Sequence, residues 1–127
     1  MTALAIDLGD KRCGIAIELE SIAIPKDIVL RQDIIKVINK YLSEYSYIDT
    51  IVVGLPYDLY GKELKQLEKT KAFIKQLEKE YKSLKIIGVD ERFTTFEAEN
   101  ISSLLGGQVK RDDISASLIL EAYLKSK

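Results

Sequence analysis

The chain has 127 residues, 46% hydrophobic and 31% charged, with one Cys, no His and a formal net charge of −1. A lone thiol forms no internal disulfide and, without His, no Cys/His zinc site; the missing His also excludes a Ser-His-Asp triad, a Cys-His pair and a His-ligated catalytic metal. Carboxylate is what remains in quantity, 20 Asp and Glu in all, so the chemistry most open to this chain is that of acids holding a hard cation.

The length predicts one domain over residues 1–127. Met1 runs straight into a strand-like segment with no basic leader, and no apolar run approaches the ~20 residues of a membrane span. The expectation is a reduced, cytoplasmic protein with no membrane contact. In chain order, residues 3–7 read as a short buried strand, Gly9-Asp10-Lys11-Arg12 as a turn, and residues 13–18 as a second strand, together a hairpin. A third strand over 21–24 is expected to stop at Pro25 and to lie at a sheet edge.

From Asp33, a candidate N-cap, Ile34, Ile35, Val37, Ile38, Tyr41 and Leu42 fall on one helical stripe. Thr50-Ile51-Val52-Val53 is a β-branched run closed by Gly54-Leu55-Pro56, as expected of an interior strand. A long helix over 62–81 follows, with Leu64, Leu67, Ile74, Leu77 and Tyr81 as its predicted inner face. Residues 62–85 carry eight Lys against four Glu, which reads first as a solvated helix face rather than a phosphate-tracking one. Residues 85–91 form another strand. Thr94 and Glu97 fit a capping box opening a helix to Leu105, and Asp112 or Asp113 is expected to cap a last helix ending near Lys125.

The predicted order is β-β-β-α-β-α-β-α-α. Right-handed crossovers place the fourth and fifth strands parallel to the first, so all three end at one edge of the sheet, where a site belongs. Asp7 ends the first strand, Asp90 and Glu91 end the fifth, and Asp112 opens the last helix. Ionised carboxylates repel unless a divalent cation neutralises them, and Mg²⁺ takes a few carboxylate oxygens plus water and phosphate. Such a cluster suits metal-assisted phosphodiester hydrolysis, one ion activating water and a second stabilising the leaving oxygen. Each acid also has a plain structural use: Asp7 as a turn acceptor, Asp112 as an N-cap, Glu91 with Arg92 as a surface ion pair. Cys13, in an interior strand, reads as inert core.

Four segments, Ile6-Asp7-Leu8-Gly9-Asp10-Lys11-Arg12-Cys13-Gly14-Ile15-Ala16, Val52-Val53-Gly54-Leu55-Pro56, Asp90-Glu91-Arg92-Phe93-Thr94-Thr95 and the stretch from Asp112 to Leu124, stand in the order and at the spacing of the YqgF family, which the chain resembles over nearly its whole length. Members are also called Holliday-junction-resolvase-like proteins or pre-16S ribosomal RNA nucleases. The resemblance implies a ribonuclease H-like α/β fold, a mixed five-stranded sheet with helices on both faces, and a bacterial endonuclease maturing the 5′ end of 16S ribosomal RNA.

By position, Asp7, Glu91 and Asp112 match the family's catalytic acids, and these with Asp90 are the candidate ligands for Mg²⁺ or Mn²⁺. Asp90 and Glu91 point to opposite faces if both lie in the strand, so one of the pair should reach the metal. Lys11 and Arg92 are candidates to hold the scissile phosphate, and Arg12, Lys110 and Arg111 flanking phosphates. The chain departs from the family at Asp10, where many members have Thr, and at Ser115, where the last helix usually has Ala. Pre-16S rRNA is the expected partner. The alternatives are a branched-DNA resolvase, which would need a twofold dimer rather than a monomer, and a non-catalytic RNA-binding protein of ribosome assembly. A nucleotide-binding module of the actin and sugar-kinase type shares the Asp-x-Gly turn but closes two domains over its ligand, more than this length supplies.

Overall fold

A computed structural model describes residues 2–56, 64–90 and 111–126, with backbone alone for 111–114. Five strands, β1 (Thr2–Leu8), β2 (Arg12–Leu19), β3 (Ile22–Leu30), β4 (Ile48–Leu55) and β5 (Lys85–Asp90), form one sheet in the order β3-β2-β1-β4-β5. β2 runs antiparallel to both β1 and β3, while β4 is parallel to β1 and β5 to β4. The three parallel strands therefore end at one edge, as the crossover argument requires, and the mixed sheet is the expected ribonuclease H-like one. The helix expected over 94–105 lies outside the described residues.

Helices α1 (Ile34–Glu44) and α2 (Leu64–Glu80) cover one face of the sheet, and α3 (Arg111–Lys125) covers the other. Alternation along the strands sorts the core. Leu4, Ile6 and Leu8 of β1, Cys13, Ile15 and Ile17 of β2, and Ile51 and Val53 of β4 meet Ile34, Ile38 and Tyr41 of α1 and Phe73 and Leu77 of α2. Ala3, Ala5, Ala16 and Val52 point the other way, against Ala116, Ile119, Leu120 and Tyr123 of α3. Each fully buried Leu, Ile or Phe contributes about 2 kcal/mol of transfer free energy, so the first face holds the larger share of hydrophobic stabilisation. Among the described residues no helix is long and apolar enough to cross a membrane.

The structure corrects the sequence reading in several places. β3 does not stop at Pro25 but runs on to Leu30. Its register against β2 slips between Ile15 and Ala16, which pair with Asp27 and Pro25 and leave Lys26 as the extra residue of a bulge. A proline is tolerated at an edge bulge because it need not donate to the ladder. The β2–β3 turn is Glu20-Ser21, both with positive φ (52° and 66°), as a two-residue hairpin demands.

Asp33 stands at the N-cap of α1 but makes no side-chain capping bond; the 3-10 turn Arg31–Asp33 leads the chain into the helix instead. On α2 the buried residues are Thr70, Phe73 and Leu77, and Leu64 is 61% exposed. Thr70 is absorbed into the core because its hydroxyl donates to the carbonyl of Gln66, 2.9 Å away. α3 begins at Arg111, which puts Asp112 in its first turn rather than at its cap.

Candidate active site at the end of the parallel strands

The β1–β2 turn is built tightly. The Gly9 N–H donates to the Arg12 carbonyl at 3.0 Å, and a Cβ on Gly9 would sit 2.4 Å from that oxygen. Only glycine fits so close an approach. Three further bonds pin the end of β1. Gln66 Nε2 donates to the Leu8 carbonyl at 3.0 Å, Lys69 Nζ meets Asp10 Oδ1 at 3.2 Å, and the Arg31 N–H donates to the Lys11 carbonyl at 2.8 Å. The departure at Asp10 is thus answered by Lys69. Both side chains are largely exposed, so the pair orients the turn more than it stabilises the fold.

Asp7 is half-buried one residue before this clamp and, by alternation with Ala3 and Ala5, lies on the α3 face. It pairs across the ladder with Gly14 of β2. The β1–β4 register, which sets Ile6 against Val53, carries Asp7 level with Gly54, itself paired with Val89. The carboxylate is therefore flanked on both sides by residues without side chains. Glycines inside strands mark places where something else approaches the backbone. Among the described residues the Asp7 carboxylate makes no hydrogen bond and no ion pair.

Asp90 pairs with Leu55, and in the alternation of β5 it is in phase with Ile86 and Gly88, the α1/α2 face. Asp7 and Asp90 thus occupy opposite faces. Glu91, Arg92 and Lys110 lie outside the described residues, and Asp112 and Arg111 are placed only as backbone in the first turn of α3. Lys11 and Arg12 are exposed at the turn. Among the described residues no three His, Cys, Asp or Glu come together as a metal cage.

Three participants escaped the sequence reading. Gly14 and Gly54 were visible as motif residues but not as the neighbours of Asp7 on the adjoining strands, which only strand pairing shows. Arg31 gave no signal; it is half-buried, and its guanidinium rests over the Phe73 ring at 4.9 Å. Cys13 is fully buried, and burial pushes its thiol above the ordinary range, with the Asp7 charge adding to the effect and the Gly9 backbone and Arg31 opposing it. This is an inert thiol.

A family model described as "RuvX: Holliday junction resolvase" matches residues 1–126. A Fusobacterium nucleatum protein named "Putative pre-16S rRNA nuclease" is 39% identical, the match covering 98% of this chain and 96% of that one. A protein of the same name from Karelsulcia muelleri is also 39% identical, over 96% of each chain. Among solved structures, the fowlpox virus Holliday junction resolvase superposes with a TM-score of 0.59 over all of both chains at 14% identity, a likeness of fold. YeaZ from Pseudomonas aeruginosa, at 19% identity and a TM-score of 0.51, covers 84% of this chain and 52% of that one and is likewise a likeness of fold. With a family match spanning β1 to α3 and relatives of this identity over nearly their full lengths, the chain belongs to the RuvX family, the family its motifs resemble under the name YqgF.

Proposed function

We propose that residues 1–127 act as one cytoplasmic, metal-dependent endonuclease domain that hydrolyses phosphodiester bonds, with the 5′ region of pre-16S rRNA as its substrate. The observation that carries this reading is the setting of Asp7: a half-buried carboxylate at the end of the central parallel strand, flanked by Gly14 and Gly54 and without a partner among the described residues. A carboxylate so placed has its oxygens free to take a hard cation.

Asp7, Glu91 and Asp112 would hold Mg²⁺ or Mn²⁺. Asp90, on the face opposite Asp7, is the weaker candidate of its pair. The bound ion would activate water and neutralise charge on the phosphate. The chain's own residues do the rest. Lys11, Arg12, Arg92, Lys110 and Arg111 would supply positive charge along the substrate strand. With a net charge of −1, binding depends on this local charge and falls as salt rises.

The name of the Fusobacterium relative supports the rRNA substrate; the family description favours a second reading, resolution of branched DNA. One assay decides: precursor 16S RNA and a four-way DNA junction, each with Mg²⁺, Mn²⁺ or chelator, cut by the unaltered chain and by Asp7→Asn. Metal-dependent cutting of the RNA, lost in a normally folded Asp7→Asn, is the expected result. Junction cutting in its place would transfer the reading to the resolvase. Unchanged cutting by Asp7→Asn would end both, and RNA binding without turnover would leave a non-catalytic assembly protein.

A further inference from the structure

On the α1/α2 face, beneath the β1–β2 turn, lies an open cavity of about 430 Å³ between that turn, the 3-10 turn that precedes α1, and α2 from Gln66 to Gln76. The volume falls in the range of small-ligand pockets, about 300–1,000 Å³. Its polar lining comes from Asp10, Arg31, Gln66, Lys69 and Gln76, with Phe73 at its apolar side. The one carboxylate among these is Asp10, and Lys69 already holds it. Arg31 is different. Its guanidinium lies over the Phe73 ring and has no hydrogen bond or ion pair with any described residue.

A guanidinium steadied by an aromatic face keeps its forked N–H donors in a fixed plane, the geometry that matches two oxygens of a phosphate. Lining charges of Arg31 and Lys69 against Asp10 leave the cavity net positive, and the exposed Gln76 amide adds a donor. We propose that this cavity is a phosphate subsite with Arg31 as its principal contact, holding a phosphodiester of the substrate strand on the sheet face opposite Asp7. The location supports a strand rather than an isolated anion: the cavity is open, and the Arg31 N–H bonds to the backbone of Lys11, a candidate phosphate contact at the same turn. The inference rests on the chain taking a nucleic-acid strand, though not on its cutting one.

The test is anisotropy of a short fluorescein-labelled single-stranded RNA, titrated with the full chain in chelator at several salt concentrations, where cleavage plays no part. Arg31→Met keeps apolar cover on Phe73 and removes the charge; Gln76→Glu, at an exposed helix position, sets a carboxylate at the cavity. Each should weaken RNA binding about tenfold, and Arg31→Met should lower the slope of log affinity against log salt by about one. Melting of Gln76→Glu should match the unaltered chain. Unchanged affinity in both variants overturns the proposal, and so does weakening confined to Arg31→Met together with a lowered melting temperature. Arg31-dependent binding of adenosine monophosphate, with RNA affinity indifferent to both variants, overturns the strand assignment and makes the source a free nucleotide. Arg31-dependent RNA binding supports the subsite even if the Asp7→Asn assay shows no nuclease.

Discussion

The two faces of the sheet are built on opposite rules. Toward α1 and α2 the strands present Leu, Ile and Val, with Phe73 and Leu77 closing over them. Toward α3 they present Ala3, Ala5, Ala16 and Val52. Large side chains make a thick layer whose stability depends on filling every gap, whereas alanines let a helix lie close against the strands and set its height by contact with the backbone. The thick face supplies most of the stability. The thin face carries Asp7, and α3 packs against it through Ala116, Ile119, Leu120 and Tyr123.

The difference can be broken from either side. Truncating Ile6→Ala on the thick face should cost about 3–4 kcal/mol in urea denaturation, from lost transfer energy and the cavity left behind. Enlarging Ala5→Leu on the thin face should cost about 2 kcal/mol by overpacking and lift α3, so cleavage should fall more steeply than stability does. If Ala5→Leu is tolerated with full activity, the close seat of α3 is not what matters. Gly14→Val adds branched carbons beside Asp7 and should lower cleavage about 100-fold, more than any loss of stability in the same variant accounts for.

Alkaline pH should act on the thick face. Burial raises the Cys13 thiol above 9.0 and the Tyr81 phenol above 10.0, and Tyr41 is raised by burial and by the hydrogen bond its hydroxyl donates to Asp27. Groups that hold protons more tightly when folded stabilise the chain fully below their unfolded values. Stability should therefore decline as pH rises past about 9 and further past about 10. Tyr41→Phe, less stable at neutral pH, should show the shallower decline in denaturant titrations. The smallest expected effect is at the β2–β3 turn, remote from either core. Replacing Glu20-Ser21 by Asn-Gly should add about 1 kcal/mol, because both positions demand positive φ.

These contrasts also mark what the sequence made legible. The runs at β1, β2 and β4 were plain because β-branched and apolar residues stood unbroken, and the parity that separates Asp7 from Leu8 followed from the pleat. Pro25 misled because a stop signal and a bulge look alike until the partner strand is known. Thr70 was invisible as core, since its hydroxyl is satisfied within its own helix. Asp7 could be named from its place at the end of a strand; its glycine flanks, the Lys69 answer to Asp10 and the exposed side of Arg31 depend on residues far apart in the chain, and pairing across strands is what no local pattern encodes.

The bulge at Lys26 has a further consequence. An outer strand of a sheet offers a row of free backbone donors and acceptors, on which a second chain could add a strand and begin a fibre. β3 carries exposed Ile22, Ile28 and Leu30, the composition that invites such growth. Pro25 removes one donor from the middle of that row and Lys26 sets a charge beside it where the spacing is broken. A sheet extended from this side meets a gap halfway along, so the same residue that confounds the reading of β3 guards the protein against self-templated aggregation.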